Sequence, residues 1–112
     1  MAEEDESRLS TYNLSVLAAR NLAKKDWFSD SDPYVKIHVT MQDMECDSIN
    51  LVGKTAVIKN NLNPIWLEHF TVKLDPDINV IVLELWDENR LTKDDFLGRA
   101  ILSPETCFRE GF

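Results

Sequence analysis

Acidic side chains are concentrated in two widely separated stretches of this sequence, ARNLAKKDWFSDSDPY (19–34) and WDENRLTKDDFLG (86–98). Like charges a few ångströms apart repel by about 1 kcal/mol per pair in water. A hard divalent cation with oxygen ligands would offset that repulsion if the two stretches met in the fold. The carboxylates are Asp26, Asp30 and Asp32 in the first stretch, and Asp87, Glu88, Asp94 and Asp95, beside the amide of Asn89, in the second.

Three other interpretations of these stretches compete with a calcium site. Both could be ordinary solvated polar loops. An EF-hand beginning at Asp87 fails, because its sixth position is Thr92 rather than Gly and its twelfth is Gly98 rather than Glu. A hydrolase with paired carboxylates is disfavoured, since His38 and His69 have no evident nucleophile beside them and the chain is too short for a deep cleft.

The elements that must position these loops are short segments in which apolar and polar residues alternate with a period of two. They predict an all-β fold, an antiparallel Greek-key β-sandwich whose connecting loops gather at its two ends. Pro64 predicts a turn, and Trp66 and Phe70 are expected in the core. An alternative topology has residues 42–53 contribute a strand. The six predicted strands are 11–19, 33–41, 54–59, 67–74, 79–86 and 96–102.

Composition narrows the function classes. The 112 residues suffice for one domain, expected over 11–112 after an acidic flexible tail at 1–10. Acids outnumber bases 20 to 12, for a net charge of −8, which argues against a nucleic-acid partner. No apolar run is long enough to span a membrane, and no signal peptide is recognisable. Cys46 and Cys107 lack zinc-site spacing and are expected to be thiols.

Three motifs together resemble the C2 domain, the calcium- and phospholipid-binding β-sandwich of protein kinase C and the synaptotagmins: LAKKDWFSDSDPYVKI, KNNLNPIWLEHF and LELWDENRLTKDDFLG. The resemblance covers residues 11 to 102. In sequence, the three motifs are most similar to the C2 domains of HECT-type ubiquitin-protein ligases with WW repeats. Because that family has eight strands, the resemblance implies a fold that lacks its last one or two strands and an N-terminal piece of a longer protein.

The resemblance also implies a set of calcium ligands in the two acidic loops. Asn89 stands where the family usually has Asp, which removes one negative charge, so weaker binding or fewer ions is expected. Asp30, Glu88 and Asp94 are extra acids, expected to set a local field or to be solvated. The implied ligands are the side chains of Asp26, Asp32, Asp87, Asn89 and Asp95, the backbone oxygens of Trp27 and Glu88, and the Thr92 hydroxyl as an addition.

Membrane contact is predicted at the loop tips by Trp27, Phe28, Arg90 and Leu91, with burial of the two aromatic side chains in the core as the alternative. A headgroup patch or simply a solvated sheet face is predicted from Lys36, His38, Lys54 and Lys59. The implied function is a calcium-dependent phospholipid-binding module, not itself an enzyme. It would be cytoplasmic and recruited to anionic membranes when calcium rises. The alternative is a calcium-independent interaction or autoinhibitory domain that contacts other domains of the same protein.

Overall fold

The computed structural model describes residues 8–24, 30–42 and 50–103 of the chain. The described residues form six strands, all joined in antiparallel pairs. The predicted all-β sandwich is therefore confirmed, and five of the six predicted strands are present with ends shifted by two residues or fewer. The strands are β1 (Ser10–Ala18), β2 (Pro33–Met41), β3 (Asn50–Lys54), β4 (Ile65–Leu74), β5 (Asn79–Asp87) and β6 (Asp95–Leu102).

The strands form two layers of unequal width. Among the described residues, one sheet has two strands, β1 and β4, whereas the other has four in the order β3-β2-β5-β6. Strand β4 lies over β3, because a Cβ added to Gly53 would meet the Phe70 ring at 3.0 Å. The narrow sheet thus covers the β3 side of the wide sheet more completely than the β6 side.

The core lies between the two layers. Alternation along β2 and β4 directs apolar side chains inward from both sheets, so that Ile37 is fully buried and Val72 and Leu74 are nearly so. Trp66 is 8% exposed, as expected, and its indole Nε1 donates to the Ala56 carbonyl oxygen at 3.0 Å. The buried apolar cluster consists of Val16, Val35, Ile37, Val39, Trp66, Val72, Leu74 and Ile81.

The predicted third strand at 54–59 is wrong. The strand is Asn50–Lys54, which agrees with the alternative in which residues 42–53 contribute a strand. Beyond Lys54, backbone and side-chain bonds are mixed. The backbone amides of Thr55 and Ile58 donate to the carbonyl oxygens of Val35 and Pro33, whereas the Val35 amide donates to Thr55 Oγ1 and the Ala56 amide donates to Glu68 Oε2. Because side chains take part of the backbone donors, the segment follows β2 without forming a regular strand.

A bulge in β4 places Trp66 in the core. Val16 pairs with Glu68 and Ala18 with Ile65, so that Trp66 and Leu67 together oppose Leu17. Leu67 has φ 52°, in the left-handed region that costs a branched side chain about 1–2 kcal/mol. The Leu67 side chain is 63% exposed, so the gain that accompanies this backbone conformation is the inward direction of Trp66 rather than packing of Leu67 itself.

Candidate functional site

The two acidic loops meet at one end of the sandwich, together with the turn that precedes β4. The Leu22 amide donates to the Leu62 carbonyl oxygen at 3.0 Å, and the Asn61 amide donates to that of Ser31 at 2.8 Å. The Glu88 amide in turn donates to the carbonyl oxygen of Asp32 at 3.0 Å. Backbone bonds therefore hold the first loop against both of the others, and the predicted convergence is present for the described part of each loop.

Asp32 and Asp87 form the centre of this loop end. The Asp32 amide donates to Asp87 Oδ1 at 2.8 Å, and the Asp87 side chain is almost completely buried. Asp32 Oδ1 accepts a hydrogen bond from the backbone amide of Asn60 at 2.7 Å. These bonds orient two carboxylates, one from the residue that precedes β2 and one from the last residue of β5, at the same point of the fold. A carboxylate buried to this extent is stable as an anion only when donors or a cation surround it.

Asn89 and Asp95 complete the described acidic cluster. Asp95 is the register partner of Asp87 across β5 and β6. The Asn89 side-chain nitrogen donates to Asp95 Oδ2 at 3.1 Å and to the Lys93 carbonyl oxygen at 2.8 Å. In this arrangement the side-chain amide of Asn89 donates a hydrogen bond to the Asp95 carboxylate. It thereby compensates part of the negative charge that a cation would otherwise compensate. A ligand role for Asn89 would require its amide oxygen to point to the ion instead.

Asp94 has a structural role that the sequence did not indicate. Its Oδ1 accepts a hydrogen bond from the backbone amide of Asn89 at 3.0 Å, and its Oδ2 accepts one from the Tyr34 hydroxyl. These two bonds hold the pKa of Asp94 below its usual value. Burial, followed by the hydrogen bond to Asp94, raises the pKa of the Tyr34 hydroxyl. Asp94 therefore clamps the β5–β6 loop to β2, which makes it a positioning residue for Asn89.

The donor chemistry of the loop end suits a hard cation, because it consists of carboxylate oxygens. Within residues 8–24, 30–42 and 50–103, however, no three acidic, histidine or cysteine side chains are placed to hold one ion. The predicted ligands Asp26 and Trp27 lie outside the described residues. Of the remaining predicted ligands, Thr92 is exposed at the loop tip, and the Glu88 carboxylate pairs with Lys59 Nζ at 2.9 Å.

Two of the four predicted membrane-contact residues, Arg90 and Leu91, lie among the described residues, in the β5–β6 loop. Leu91 is 98% exposed, and Arg90 beside it is exposed as well. Trp27 and Phe28 lie outside the described residues. The described part of the chain contains no helix with the length and apolarity to cross a bilayer. The β5–β6 loop therefore presents the apolar Leu91 and the cationic side chains of Arg90 and Lys93 at the end of the sandwich where its carboxylates converge.

The predicted headgroup patch is divided in the fold. Lys36 and Lys54 are register partners on β2 and β3, and their ammonium groups lie over the rings of Trp86 at 4.7 Å and Tyr34 at 5.9 Å. His38 Nε2 lies 2.8 Å from Glu84 Oε1. Lys59 is in the turn after β3 and bonds to Glu88. Two lysines thus share a sheet face, while Lys59 belongs to the loop end.

Comparison with known proteins gives a family match over nearly the whole chain. The family model described as the C2 domain matches residues 10–111. The E3 ubiquitin-protein ligase Nedd-4 of Drosophila melanogaster is 42% identical over 88 residues, which are 79% of this chain and 8% of that protein. The E3 ubiquitin-protein ligase NEDD4 of Rattus norvegicus is 41% identical over 102 residues, 84% of this chain and 11% of that protein.

A solved structure supports the same fold. The C2A domain of a plant extended synaptotagmin 1 superposes with a TM-score of 0.68 at 30% identity, covering 83% of this chain and 67% of that one. The chain spans only about a tenth of the length of the two ligases. The similarity therefore concerns one region of those enzymes and not their whole activity.

Proposed function

This chain belongs to the C2 domain family, and from that premise we propose that it is a calcium-dependent phospholipid-binding module that recruits an attached ubiquitin ligase from the cytoplasm to membranes. The observation that carries the proposal is the meeting of Asp32 and Asp87 at one end of the sandwich, joined by the 2.8 Å bond between them. Both relatives described above are named as ubiquitin ligases, which supports the attachment to such an enzyme.

The chain's own residues account for the recruitment step. Asp32, Asp87 and Asp95 give the loop end a negative charge that repels an anionic membrane surface. Bound calcium would supply compensating charge and open coordination positions for lipid phosphate oxygens. The exposed Leu91 then inserts among the lipids, while Arg90 pairs with a phosphate. Asp26, Trp27 and Phe28 are proposed to complete the ligands and the membrane contact.

Calorimetric titration with calcium and sedimentation with phosphatidylserine vesicles test this proposal. We expect heat release and calcium-dependent sedimentation from the wild-type chain, and loss of both in the double variant Asp32→Asn with Asp87→Asn. Asp77→Asn is the matched control, because Asp77 is an exposed aspartate in the β4–β5 turn and lies outside the loop cluster. No heat and no sedimentation from the wild-type chain would refute the proposal.

One observation favours a second function, a calcium-independent interaction or autoinhibitory domain. The Asn89 side-chain nitrogen already donates to Asp95, so part of the charge compensation is internal. Asn89→Asp distinguishes the two functions. If the domain is a calcium module with one charge fewer than usual, the variant binds calcium about tenfold or more tightly than the wild-type chain. If the domain is calcium-indifferent, neither protein responds to the ion.

A further inference from the structure

The turn that precedes β4 contains three asparagines in four residues, Asn60, Asn61 and Asn63, with Leu62 between the last two. Its four residues include no carboxylate and none of the predicted calcium ligands. Each of the four nevertheless makes a hydrogen bond to the first acidic loop. Residues 60–63, called the asparagine turn below, therefore belong to the loop end although they supply none of its acidic side chains.

The first half of the asparagine turn holds the segment by which the first loop returns to β2. The Asp30 amide donates to Asn60 Oδ1 at 2.8 Å, and the Asn60 amide donates to Asp32 Oδ1 at 2.7 Å. The Asn61 amide donates to the Ser31 carbonyl oxygen at 2.8 Å. Three consecutive residues of the loop are thus bonded to two consecutive residues of the turn.

The second half of the asparagine turn holds the segment by which the first loop leaves β1. The Asn21 amide donates to Asn63 Oδ1 at 2.9 Å, and the Leu22 amide donates to the Leu62 carbonyl oxygen at 3.0 Å. In the sequence, the two held segments flank residues 25–29, which contain two of the predicted calcium ligands. The asparagine turn therefore restrains the first loop on both sides of its predicted ligands.

Asn60 is the residue of the turn that holds the loop by both its backbone and its side chain. Its φ is 52°, in the left-handed region that asparagine adopts more readily than most residues. Its amide reaches the Asp32 carboxylate while its side-chain oxygen reaches the Asp30 backbone. The residue is exposed, so packing in the core does not account for its presence.

We propose that Asn60 is a positioning residue for calcium, one that holds the first loop in the arrangement that binds the ion. This inference rests on the proposed function. A loop that adopts its binding arrangement for only part of the time binds more weakly in proportion to that fraction. Asp30 directly follows residues 25–29, so its bond to Asn60 is the first restraint on the described backbone after that segment. Loss of this bond lowers the fraction of molecules that are ready to bind.

Asn61 provides a matched control within the same turn. Its side-chain oxygen accepts the Asn63 amide at 2.8 Å, a bond inside the turn, whereas that of Asn60 accepts an amide of the first loop. Asn60→Gly and Asn61→Gly each remove one side-chain acceptor and keep the backbone amide that donates to the loop. Glycine adopts a positive φ without strain, so Asn60→Gly retains the conformation of the turn.

Hydrogen exchange of the Asp30 amide, followed by NMR in EDTA, and calorimetric titration with calcium test the inference. In Asn60→Gly the amide should exchange about fivefold faster or more than in the wild-type chain and in Asn61→Gly. The calcium Kd of Asn60→Gly should rise by about threefold to tenfold, while that of Asn61→Gly stays at the wild-type value. Asn60→Asp keeps an oxygen for the Asp30 amide and should restore its slow exchange.

Three results would overturn the inference alone, because the wild-type chain would still bind calcium. These are equal losses of affinity in the two glycine variants, an unchanged affinity in Asn60→Gly, and an exchange rate of the Asp30 amide that does not respond to Asn60→Gly and Asn60→Asp. A wild-type chain without calcium binding would instead refute the proposed function, and with it the calcium role of Asn60.

Discussion

The loop end differs from the groove between the two layers, which is lined by Val16, Trp66, Leu83, Leu85 and Ala100, although the same four-stranded sheet forms part of both. At the loop end the backbone is extensively bonded, as the amides of Asp32, Asn60 and Glu88 show, and an excess of negative charge remains. At the groove there is little charge, but a strand edge and an apolar face are left uncovered among the described residues.

This difference indicates what kind of ligand each region can take. Carboxylates held by backbone donors call for a cation, and binding depends on ionic strength and pH. An apolar groove suits an apolar partner surface, and contact there depends on shape and on apolar area. The two regions can therefore be tested separately, by polar variants at the loop end and by volume changes along the sheet.

The largest effect is expected from Asp87→Ala. This change removes the acceptor of the Asp32 amide at a site that is 1% exposed, and an unsatisfied buried donor costs about 1–3 kcal/mol. Urea unfolding in calcium-free buffer should show a loss of that size. Asp87→Asn retains an oxygen for the Asp32 amide and relieves repulsion, so it should lose less. If the two variants were equally stable, the hydrogen bond would not be the determinant of stability here.

A comparison of two glycines tests the difference in cover along the sheet. In Gly53→Ala the new methyl group would lie 3.0 Å from the Phe70 ring, and overpacking of this kind costs about 1–3 kcal/mol. In Gly98→Ala the methyl group enters open space, and the reduced freedom of the unfolded chain should stabilise the protein by about 0.4–1 kcal/mol. Thermal unfolding measures both. A destabilised Gly98→Ala variant would mean that the space beside Gly98 is already filled.

The smallest effect is expected at Asp94, whose contribution to the stability of the fold depends on pH. Since the folded protein lowers the pKa of Asp94, this carboxylate stabilises the fold above its unfolded pKa of about 4 and loses that contribution as the pH falls through the lowered value. Asp94→Asn should therefore be less stable than the wild-type chain at neutral pH, with a difference that shrinks in acid. Tyr34→Phe keeps the hydrogen bond from the backbone amide of Asn89 to the Asp94 carboxylate. Its loss of stability should therefore be smaller than that of Asp94→Asn. A difference that is constant with pH would exclude the clamp as its origin.

Much of the fold and part of the site could be predicted from the residues. Alternation located five strands, because burial on one face of a sheet enforces a period of two. The third strand was misplaced, because Asn50–Lys54 is an exposed edge whose side chains carry little alternation. The clamp at Asp94 was missed, since its partner Tyr34 lies 60 residues away and a tyrosine in a strand has no local signal for such a bond.

The sequence by itself determined which chemistry is available: carboxylates in two loops, an amide at Asn89, and apolar strands that must pack face to face. Those properties are local, because each follows from residue type and short-range spacing. The tertiary structure decided which groups meet, namely Asp32 with Asp87 and Asn89 with Asp95, and which strands of the described residues pair in each sheet. Register and layer width depend on contacts between distant segments, and no single stretch of the chain contains that information.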